Sequence, residues 1–297
     1  MKLLITGASG LFGGKLAQLA TTKGYTIYSG YNKDKPKFGI PIQFDITNKT
    51  HTQQVFQKTQ VDTIIHAASL TNVDTCERKR NQAWKTNIQG TKHIVQAAKK
   101  TQTYLIYIST DYVFDGEKGN YTETDKPNPI NYYGQTKLKA EQQIQTLQNY
   151  CIARPSVIYG STPAAGKTNF ALWTIKQLKN EKPVKMATDQ YTSPTLNTNL
   201  ANMTLEIAEQ KLTGTYHLSG ATPINRYDFA KKIAKTFNLD PNLIFPVSID
   251  DFSFPAKRPK NSSLNTRKAQ QDLKNKPLEI DQALKILKKE LNQKSKT

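Results

Sequence analysis

The feature that most constrains this chain is a run of three glycines, Gly7, Gly10 and Gly13, placed directly after a short apolar segment. Glycines at this spacing let the backbone turn tightly and approach a pyrophosphate, whose charge is met by the N-terminus of the following helix. Glycines also simply end strands, so the spacing alone is a weak signal. Between a first strand and a first helix, it predicts a dinucleotide-binding unit.

The first half of the chain alternates short apolar runs with longer amphipathic stretches, which is typical of a parallel sheet covered by helices. Strands are predicted at residues 2–6, 25–29, 40–44, 61–66, 104–109 and 150–154, and helices at about 14–23, 50–58, 80–100 and 132–147. The second half predicts a short strand at 215–218 and helices at 169–180, 197–210, 225–237, 266–273 and 279–291. Loops are predicted at residues 111–131, 161–168 and 254–259.

This order of elements predicts an α/β fold of the Rossmann type, a doubly wound parallel sheet with a smaller C-terminal α/β lobe for the substrate. We assign residues 1–160 to an NAD(P)-binding Rossmann domain, completed by parts of residues 190–220. Residues 161–297 form mainly the substrate-binding lobe. A chain of 297 residues is long enough to bury the core of such a fold.

The net charge of +19 raises the question of a nucleic-acid partner, because phosphate contacts need lysine and arginine. Only six of the 42 basic residues are arginines, the side chains that read base edges and bind phosphate bidentately. The lysines are scattered along the chain, with one dense run near its end. We therefore expect a lysine-rich surface and no nucleic acid; the charge would also attract an anionic cofactor and a diphosphate substrate.

Targeting, membrane and metal signals are weak. The apolar run after Met1 is too short for a signal peptide, and no segment approaches the roughly 18 consecutive apolar residues of a membrane span. The two cysteines, Cys76 and Cys151, are far apart and lack metal-ligand spacing, so neither a disulfide framework nor a metal site is expected. We expect a cytoplasmic protein without a membrane partner.

Tyr133 and Lys137 stand four residues apart at the start of a predicted helix. Such positions share one helix face. An ammonium group beside the phenol would favour the phenolate and lower the pKa of the tyrosine from about 10, as a general acid for carbonyl reduction requires. Taken alone, the pair is an ordinary pair on a helix surface. Because the chain also contains the glycine turn, we interpret the pair as catalytic.

Ser109, Thr110 and Asp111 stand at the end of a predicted strand. Ligands of doubly wound sheets bind outside the carboxyl ends of the strands, so a hydroxyl there can bond a substrate carbonyl. Turn formation or helix capping accounts for Thr110 and Asp111 equally well when they are considered alone.

In this order, the glycine turn, the strand-end hydroxyls and the Tyr-Lys pair resemble the extended short-chain dehydrogenase/reductase family from Met1 to about Leu291. Residues 109–116, Ser-Thr-Asp-Tyr-Val-Phe-Asp-Gly, resemble the signature of the dTDP-4-dehydrorhamnose reductases, which make dTDP-L-rhamnose. Residues 67–69, 71–74, 132–138 and 189–195 agree with the same family. An eight-residue match is specific, whereas the glycine motif places the chain only in the superfamily.

The resemblance implies roles for individual residues. Tyr133 would donate the proton, Lys137 would tune it and hold the nicotinamide ribose, and Thr110 and Asp111 would contact the substrate, Thr110 at its carbonyl. The residues expected at the cofactor are Gly7, Gly10, Leu11, Phe12 and Gly13 at the pyrophosphate, Asp45 and Ile46 at the adenine, Ala67, Ala68 and Ser69 at the ribose, and Tyr133 and Lys137. Asn87 matches the structural asparagine of the family. The alternative interpretation is that Asn87 is an ordinary asparagine on the surface of a helix.

The choice of cofactor depends on the end of the second predicted strand. A carboxylate there would bind the ribose 2′-hydroxyl of NAD, whereas a cation accommodates the 2′-phosphate of NADP. No acid stands directly at this strand end, and Asn32, Lys33 and Lys35 follow it. NADP(H) is therefore favoured, with Asn32 and Lys33 among the cofactor-binding residues, while Asp34 leaves NAD(H) as an alternative.

One departure from the family concerns the sugar. Reductases of this family often carry a tryptophan in an Arg-Thr-Ser-Trp run, and this tryptophan packs on the sugar. Here the four residues from Arg154 to Val157 read Arg-Pro-Ser-Val, so the resemblance implies a different sugar contact.

We therefore expect NADPH-dependent reduction of the 4-keto group of a dTDP-linked 6-deoxy sugar. An epimerase or dehydratase of the same fold is an alternative, although 4,6-dehydratases usually place an Asp-Glu pair where this chain has Asp111 and Tyr112. Another alternative is a non-catalytic NADP-binding regulator like the methionine adenosyltransferase β subunit, yet Tyr133 and Lys137 are both present. A homodimer is compatible with these functions, and a partner enzyme with the regulator.

Overall fold

The computed structural model describes residues 1–163 and 168–294 of the chain. Its strands are β1 (Lys2–Thr6), β2 (Thr26–Tyr31), β3 (Ile40–Gln43), β4 (Thr63–His66), β5 (Tyr104–Ile108), β6 (Tyr150–Ala153), β7 (Ser156–Tyr159), β8 (Val184–Ala187), β9 (Tyr191–Thr192), β10 (Pro194–Leu196), β11 (Gly214–Tyr216), β12 (Ile224–Asn225) and β13 (Ile244–Val247). Its helices are α1 (Leu11–Thr22), α2 (Lys49–Thr59), α3 (Val73–Arg78), α4 (Arg80–Ala83), α5 (Thr91–Thr101), α6 (Tyr132–Ile144), α7 (Phe170–Lys179), α8 (Asn197–Gln210), α9 (Arg226–Phe237), α10 (Arg267–Asp272) and α11 (Ile280–Lys294). A π-helical stretch, Trp84–Gly90, joins α4 to α5, and 3₁₀ turns occur at Asp111–Val113, Pro241–Leu243 and Ile249–Asp251.

The large sheet has seven strands in the order β11-β6-β5-β4-β1-β2-β3, and every neighbouring pair is parallel. Its central strands are buried on both faces, as the apolar runs in the sequence predict. Leu3 and Ile5 of β1 face one core with α1 and α8, whereas Leu4 faces another core with α2, α5 and α6. Helices therefore cover both faces, and the predicted Rossmann-type α/β fold is confirmed.

A smaller part of the chain packs beside the carboxyl ends of this sheet. It contains the pairs β7–β10, β9–β12 and β8–β13 and the helices α7, α9 and α11. A buried cluster that includes Tyr159, Phe229 and Leu284 fixes these helices to β7. β11, which lies between residues 190 and 220, completes the edge of the large sheet beside β6.

The structure differs from the expected elements in a few places. The helix expected at residues 80–100 contains the π-helical stretch, and α3 and the strands β7–β10, β12 and β13 were not predicted. These strands have two to four residues each and pair with distant segments, so local periodicity carries little signal for them. The loop expected at residues 161–168 falls partly outside the described residues.

Within residues 1–163 and 168–294, no helix combines the length and the hydropathy needed to cross a membrane. The same residues hold no group of three or more His, Cys, Asp or Glu side chains that could bind a metal ion.

Candidate active site

A cavity of about 1040 Å³ opens at the carboxyl ends of the strands of the large sheet. Residues directly after β1, β4 and β5 line it, and it extends past Gly30 in β2. β1 lies between β2 and β4, so the strand order reverses at this point. Ligands of open α/β sheets bind at such a switch point, which makes this cavity the candidate site.

The glycine turn forms one end of the cavity and has no room for side chains. Gly7 has a φ of +70°, and a Cβ atom at Gly13 would lie 2.2 Å from the Gly7 carbonyl oxygen. α1 begins at Leu11, and Gly10 before it supplies no side-chain cap. The first amide groups of α1 therefore remain as donors for an anion, which fits the pyrophosphate of a dinucleotide.

Most residues expected at the cofactor line this cavity. They are Gly7, Gly10, Leu11, Phe12, Gly13, Asn32, Asp45, Ile46, Ala67, Ala68, Ser69, Tyr133 and Lys137. Lys33 is exposed and does not belong to the lining. Its contact with the cofactor stays a prediction.

Hydrogen bonds among buried side chains set the path of the backbone after β4. The Thr6 hydroxyl accepts from the amides of Ala67 and Ala68, each at 3.1 Å. It also bonds Nδ1 of His66 at 2.7 Å. Burial, together with the charge of Lys137, lowers the pKa of His66 to about 3, so this imidazole is neutral and structural.

Asn87, in the middle of the π-helical stretch, joins the cofactor side of the cavity to α6. Its side-chain oxygen accepts from the Ser69 hydroxyl at 2.9 Å and the Leu70 amide at 2.7 Å. Its nitrogen donates to the Leu70 carbonyl at 3.1 Å and to the Thr136 hydroxyl at 3.0 Å. Asn87 is 1% exposed, so it is an internal bridge and not a surface helix asparagine.

Tyr133, Lys137 and Thr110 share one wall of the cavity. α6 carries the first two, and its N-cap Asn131 accepts the Gly134 amide at 2.9 Å. The Thr110 hydroxyl lies close to the Tyr133 phenol. Lys137 Nζ donates to the Ile108 carbonyl at 2.7 Å and lies 4.1 Å from the centre of the Tyr107 ring. The structure thus brings all three predicted catalytic residues together.

The expected lowering of the Tyr133 pKa is wrong for this structure. Burial raises the pKa of Tyr133 above its ordinary value, and the nearby Thr110 hydroxyl offsets only part of this. Burial also lowers the pKa of Lys137 to about 7. The reason is that both groups are removed from water, which disfavours the phenolate and the ammonium alike.

Asp111, expected at the substrate, borders the cavity but is 2% exposed. Its Oδ2 accepts from the hydroxyls of Ser156 at 2.8 Å and Ser262 at 2.6 Å. Its Oδ1 accepts from the Thr110 hydroxyl at 3.2 Å. Protein side chains therefore already satisfy both oxygens of this carboxylate.

Val157, where the family often has tryptophan, faces the cavity from a distorted strand. The pairing of β7 with β10 shifts register between Pro194 and Thr195, which leaves Val157 without a partner. Its φ is +26°, an unusual value for a β-branched residue. Such bulges occur next to active sites and redirect a side chain.

The sequence motifs did not identify several lining residues. Asn81 and Lys85 line the cavity from the helix that leads to Asn87, and Thr168 and Asn169 line it from the start of α7. The spacing of Asn81 and Lys85 puts them on one helix face, which was the available signal.

Comparisons with known proteins agree with this geometry. Residues 1–293 match the family model described as RmlD substrate binding domain. The chain is similar to dTDP-4-dehydrorhamnose reductase from Bacillus anthracis in complex with NADP, with a TM-score of 0.88, 33% identity, and coverage of 97% of this chain and 99% of that one. It is 31% identical to dTDP-4-dehydrorhamnose reductase of Aggregatibacter actinomycetemcomitans over 97% of this chain and 98% of the relative.

A relative of another kind is similar as well. Methionine adenosyltransferase 2 subunit beta of Mus musculus is 30% identical over 90% of this chain and 81% of its own length. The resemblance to the family that the motifs indicated is nevertheless confirmed, because the family model spans the glycine turn, the wall with Thr110, Tyr133 and Lys137, and the smaller lobe. This chain belongs to the RmlD substrate binding domain family.

Proposed function

We propose that this chain is an NADPH-dependent reductase of the 4-keto group of a dTDP-linked 6-deoxy sugar. The observation that carries the proposal is the shared wall of Thr110, Tyr133 and Lys137 in a cavity whose other end is the glycine turn. A hydroxyl and a phenol within reach of each other can bond one carbonyl oxygen. The reductase relatives supply the substrate class.

The cavity fits a nicotinamide dinucleotide on two counts. A Cβ atom at Gly7 or Gly13 would collide with neighbouring backbone, so the tight turn requires glycine at both positions, and the N-terminus of α1 offers amide donors beside this turn. Asn32 lines the adenine end and no carboxylate stands directly at the end of β2, which favours NADP(H), while NAD(H) stays an alternative. When bound, the reduced nicotinamide supplies the hydride for the keto carbon.

The protein side chains handle the proton. Because burial raises its pKa, Tyr133 stays protonated at neutral pH and can donate to the oxygen that becomes negative. Thr110 would hold the same oxygen through its hydroxyl. Lys137 lies in the wall beside them, anchored on the Ile108 carbonyl, where its ammonium would favour the phenolate that forms.

The structure bears on the alternatives as well. A dehydratase needs a second acid or base next to Thr110, whereas Asp111 is engaged by hydroxyls and Tyr112 follows it. A regulator like the β subunit of methionine adenosyltransferase needs no phenol and hydroxyl facing the cofactor cavity. A homodimer or a partner enzyme stays a prediction.

The proposal can be tested by measuring the rate of NADPH oxidation with dTDP-, UDP- and GDP-linked 4-keto-6-deoxy sugars. Each sugar is supplied with and without prior epimerisation. We expect turnover with the dTDP sugar and much less with the others. Tight NADPH binding without oxidation by any of these sugars, together with co-purification of another enzyme, would instead place the chain among the regulators.

A further inference from the structure

We infer that Asp111 is a positioning residue: its carboxylate holds the hydroxyl of Thr110 and ties it to two serines of the C-terminal half of the chain. This inference rests on the proposed function, in which Thr110 contacts the substrate carbonyl. It replaces the expectation that Asp111 binds the substrate itself. We call Asp111, Ser156 and Ser262 the Asp111 cluster.

The carboxylate of Asp111 is nearly saturated with donors. An ionised carboxylate has about four acceptor sites, and the hydroxyls of Thr110, Ser156 and Ser262 occupy three of them. Its exposure of 2% leaves little surface for a ligand. Burial raises the pKa of Asp111, and the hydrogen bonds from the three hydroxyls and the nearby charge of Arg226 offset part of this rise.

The Asp111 cluster joins segments that are distant in sequence. Ser156 is the first residue of β7 and also accepts the Ser193 amide at 3.3 Å. Ser262 lies 151 residues after Asp111, and its amide donates to the Tyr191 carbonyl at 3.1 Å. The Ser193 hydroxyl in turn accepts the Leu264 amide at 3.1 Å. One carboxylate therefore connects the end of β5 with β7 and with the segment around Ser262.

Thr110 is the residue through which this cluster reaches the reaction. Its oxygen accepts the Tyr112 amide at 3.2 Å and gives its single proton to Asp111. Both bonds hold the oxygen at the cavity wall beside Tyr133. The bond to Asp111 is long for two oxygens, so the hydroxyl can turn and donate its hydrogen bond to a bound carbonyl oxygen while the Tyr112 amide keeps the Thr110 oxygen in place.

A double-mutant cycle with Thr110→Val and Asp111→Asn tests this coupling. We expect Asp111→Asn to lower kcat about tenfold or more, the size expected for a hydrogen bond to a charged group, with KM changed less than about threefold. In the Thr110→Val background, Asp111→Asn should change kcat less than about threefold. If the two substitutions lower kcat independently, so that their fold-losses multiply in the double variant, the inference is wrong. It is also wrong if Asp111→Asn raises KM and leaves kcat normal, because that result indicates direct contact with the substrate.

Asp250→Asn is the matched control, because it makes the same substitution on a carboxylate whose side chain is 75% exposed. It should leave kcat and KM unchanged. If Asp111→Asn fails to fold, Ser262→Ala removes one donor of the cluster without touching Thr110. It should lower kcat in the same direction and by less; an unchanged kcat would argue against the inference.

Amide hydrogen exchange of the NADP⁺-saturated protein tests the connection between the end of β5 and the segment around Ser262, and it needs no turnover. In Asp111→Asn, the amides of Ser262 and Leu264 should exchange at least about tenfold faster, and in Asp250→Asn they should not. Unchanged exchange would overturn the tie between the segments. Absence of turnover by the unaltered protein would instead refute the proposed function, so the two failures are distinguishable.

Discussion

Lys137 Nζ donates a hydrogen bond of 2.7 Å to the backbone carbonyl of Ile108, the last residue of β5. Two residues further on stands Thr110. The lysine thereby connects α6 to the strand end that carries Thr110, the residue proposed to contact the substrate carbonyl. It does so from a buried position, 2% exposed, and this burial has a measurable cost.

Replacing this lysine should change how stability depends on pH. Burial lowers the pKa of Lys137 to about 7, whereas an unfolded lysine has a pKa of about 10.4. Between these values the unfolded chain holds a proton that the folded chain has released, so this residue makes stability rise with pH from about 7 to about 10. In Lys137→Met this contribution disappears.

Urea denaturation from pH 6 to pH 10 measures this difference. The stability of the unaltered protein relative to Lys137→Met should increase across the interval, with little change below pH 7. Lys139→Met, on the exposed side of the same helix, should show the same pH dependence of stability as the unaltered protein. Parallel curves for the unaltered protein and Lys137→Met would contradict the lowered pKa.

Tyr133→Phe removes the proposed proton donor and keeps the ring. We expect kcat to fall about 10²- to 10⁴-fold, the usual size of a general-acid effect, with NADPH binding nearly intact. Steady-state kinetics and fluorescence titration with NADPH separate the two effects. Tyr132→Phe, in the neighbouring position, should retain normal kcat. A normal kcat in Tyr133→Phe would remove this residue from the mechanism.

Cofactor preference should depend on Lys33 and Lys35. Changing both to alanine removes cations expected near the 2′-phosphate, so NADPH should bind at least about tenfold more weakly while NADH binding barely changes. Both side chains are exposed, and solvent screening keeps the expected loss near this tenfold value, well below that of two buried contacts. Lys37→Ala is the control for a general loss of charge. Equal losses for NADPH and NADH would show that these lysines do not recognise the phosphate.

The buried ion pair of Glu141 and Arg154 should matter for stability. Two hydrogen bonds of 2.9 and 2.7 Å join them, and their side chains are 1% and 4% exposed. Glu141→Gln leaves a buried guanidinium uncompensated and should cost about 3–5 kcal/mol of unfolding free energy. Asp281→Asn in the exposed pair with Lys232 should cost at most about 1 kcal/mol. Similar losses in the two variants would contradict this.

The sequence predicted the central strands of the sheet well because they are buried on both faces. The apolar runs of β1 and β5 are typical of such strands, and their order, with helices between them, indicates parallel pairing. The helix predicted at residues 197–210 has those bounds in the structure, as α8. The short strands of the smaller part remained undetected because partners such as β8 and β13 lie about sixty residues apart.

The candidate site was predictable where one motif contains the chemistry. The glycine turn and the pair of Tyr133 and Lys137 follow from local spacing, whereas the role of Thr110 came from the resemblance to the family. The direction of the Tyr133 pKa did not follow, because it depends on burial by segments from elsewhere in the chain. The hydrogen bond from Ser262 to Asp111 spans 151 residues, and no local pattern indicates it.

The π-helical stretch Trp84–Gly90 has a consequence for insertions and deletions. A π turn holds one residue more than an α turn, so it accommodates an extra residue inside a helix. Asn87 faces α6, while Ile94, about two turns later, is fully buried against the sheet. Deleting Gln89 would remove the extra residue, so the stretch could close as an ordinary α-helix and Ile94 would keep its apolar contact. The cost of such a deletion should therefore fall on Asn87, inside the stretch, and on its polar bridge to Thr136.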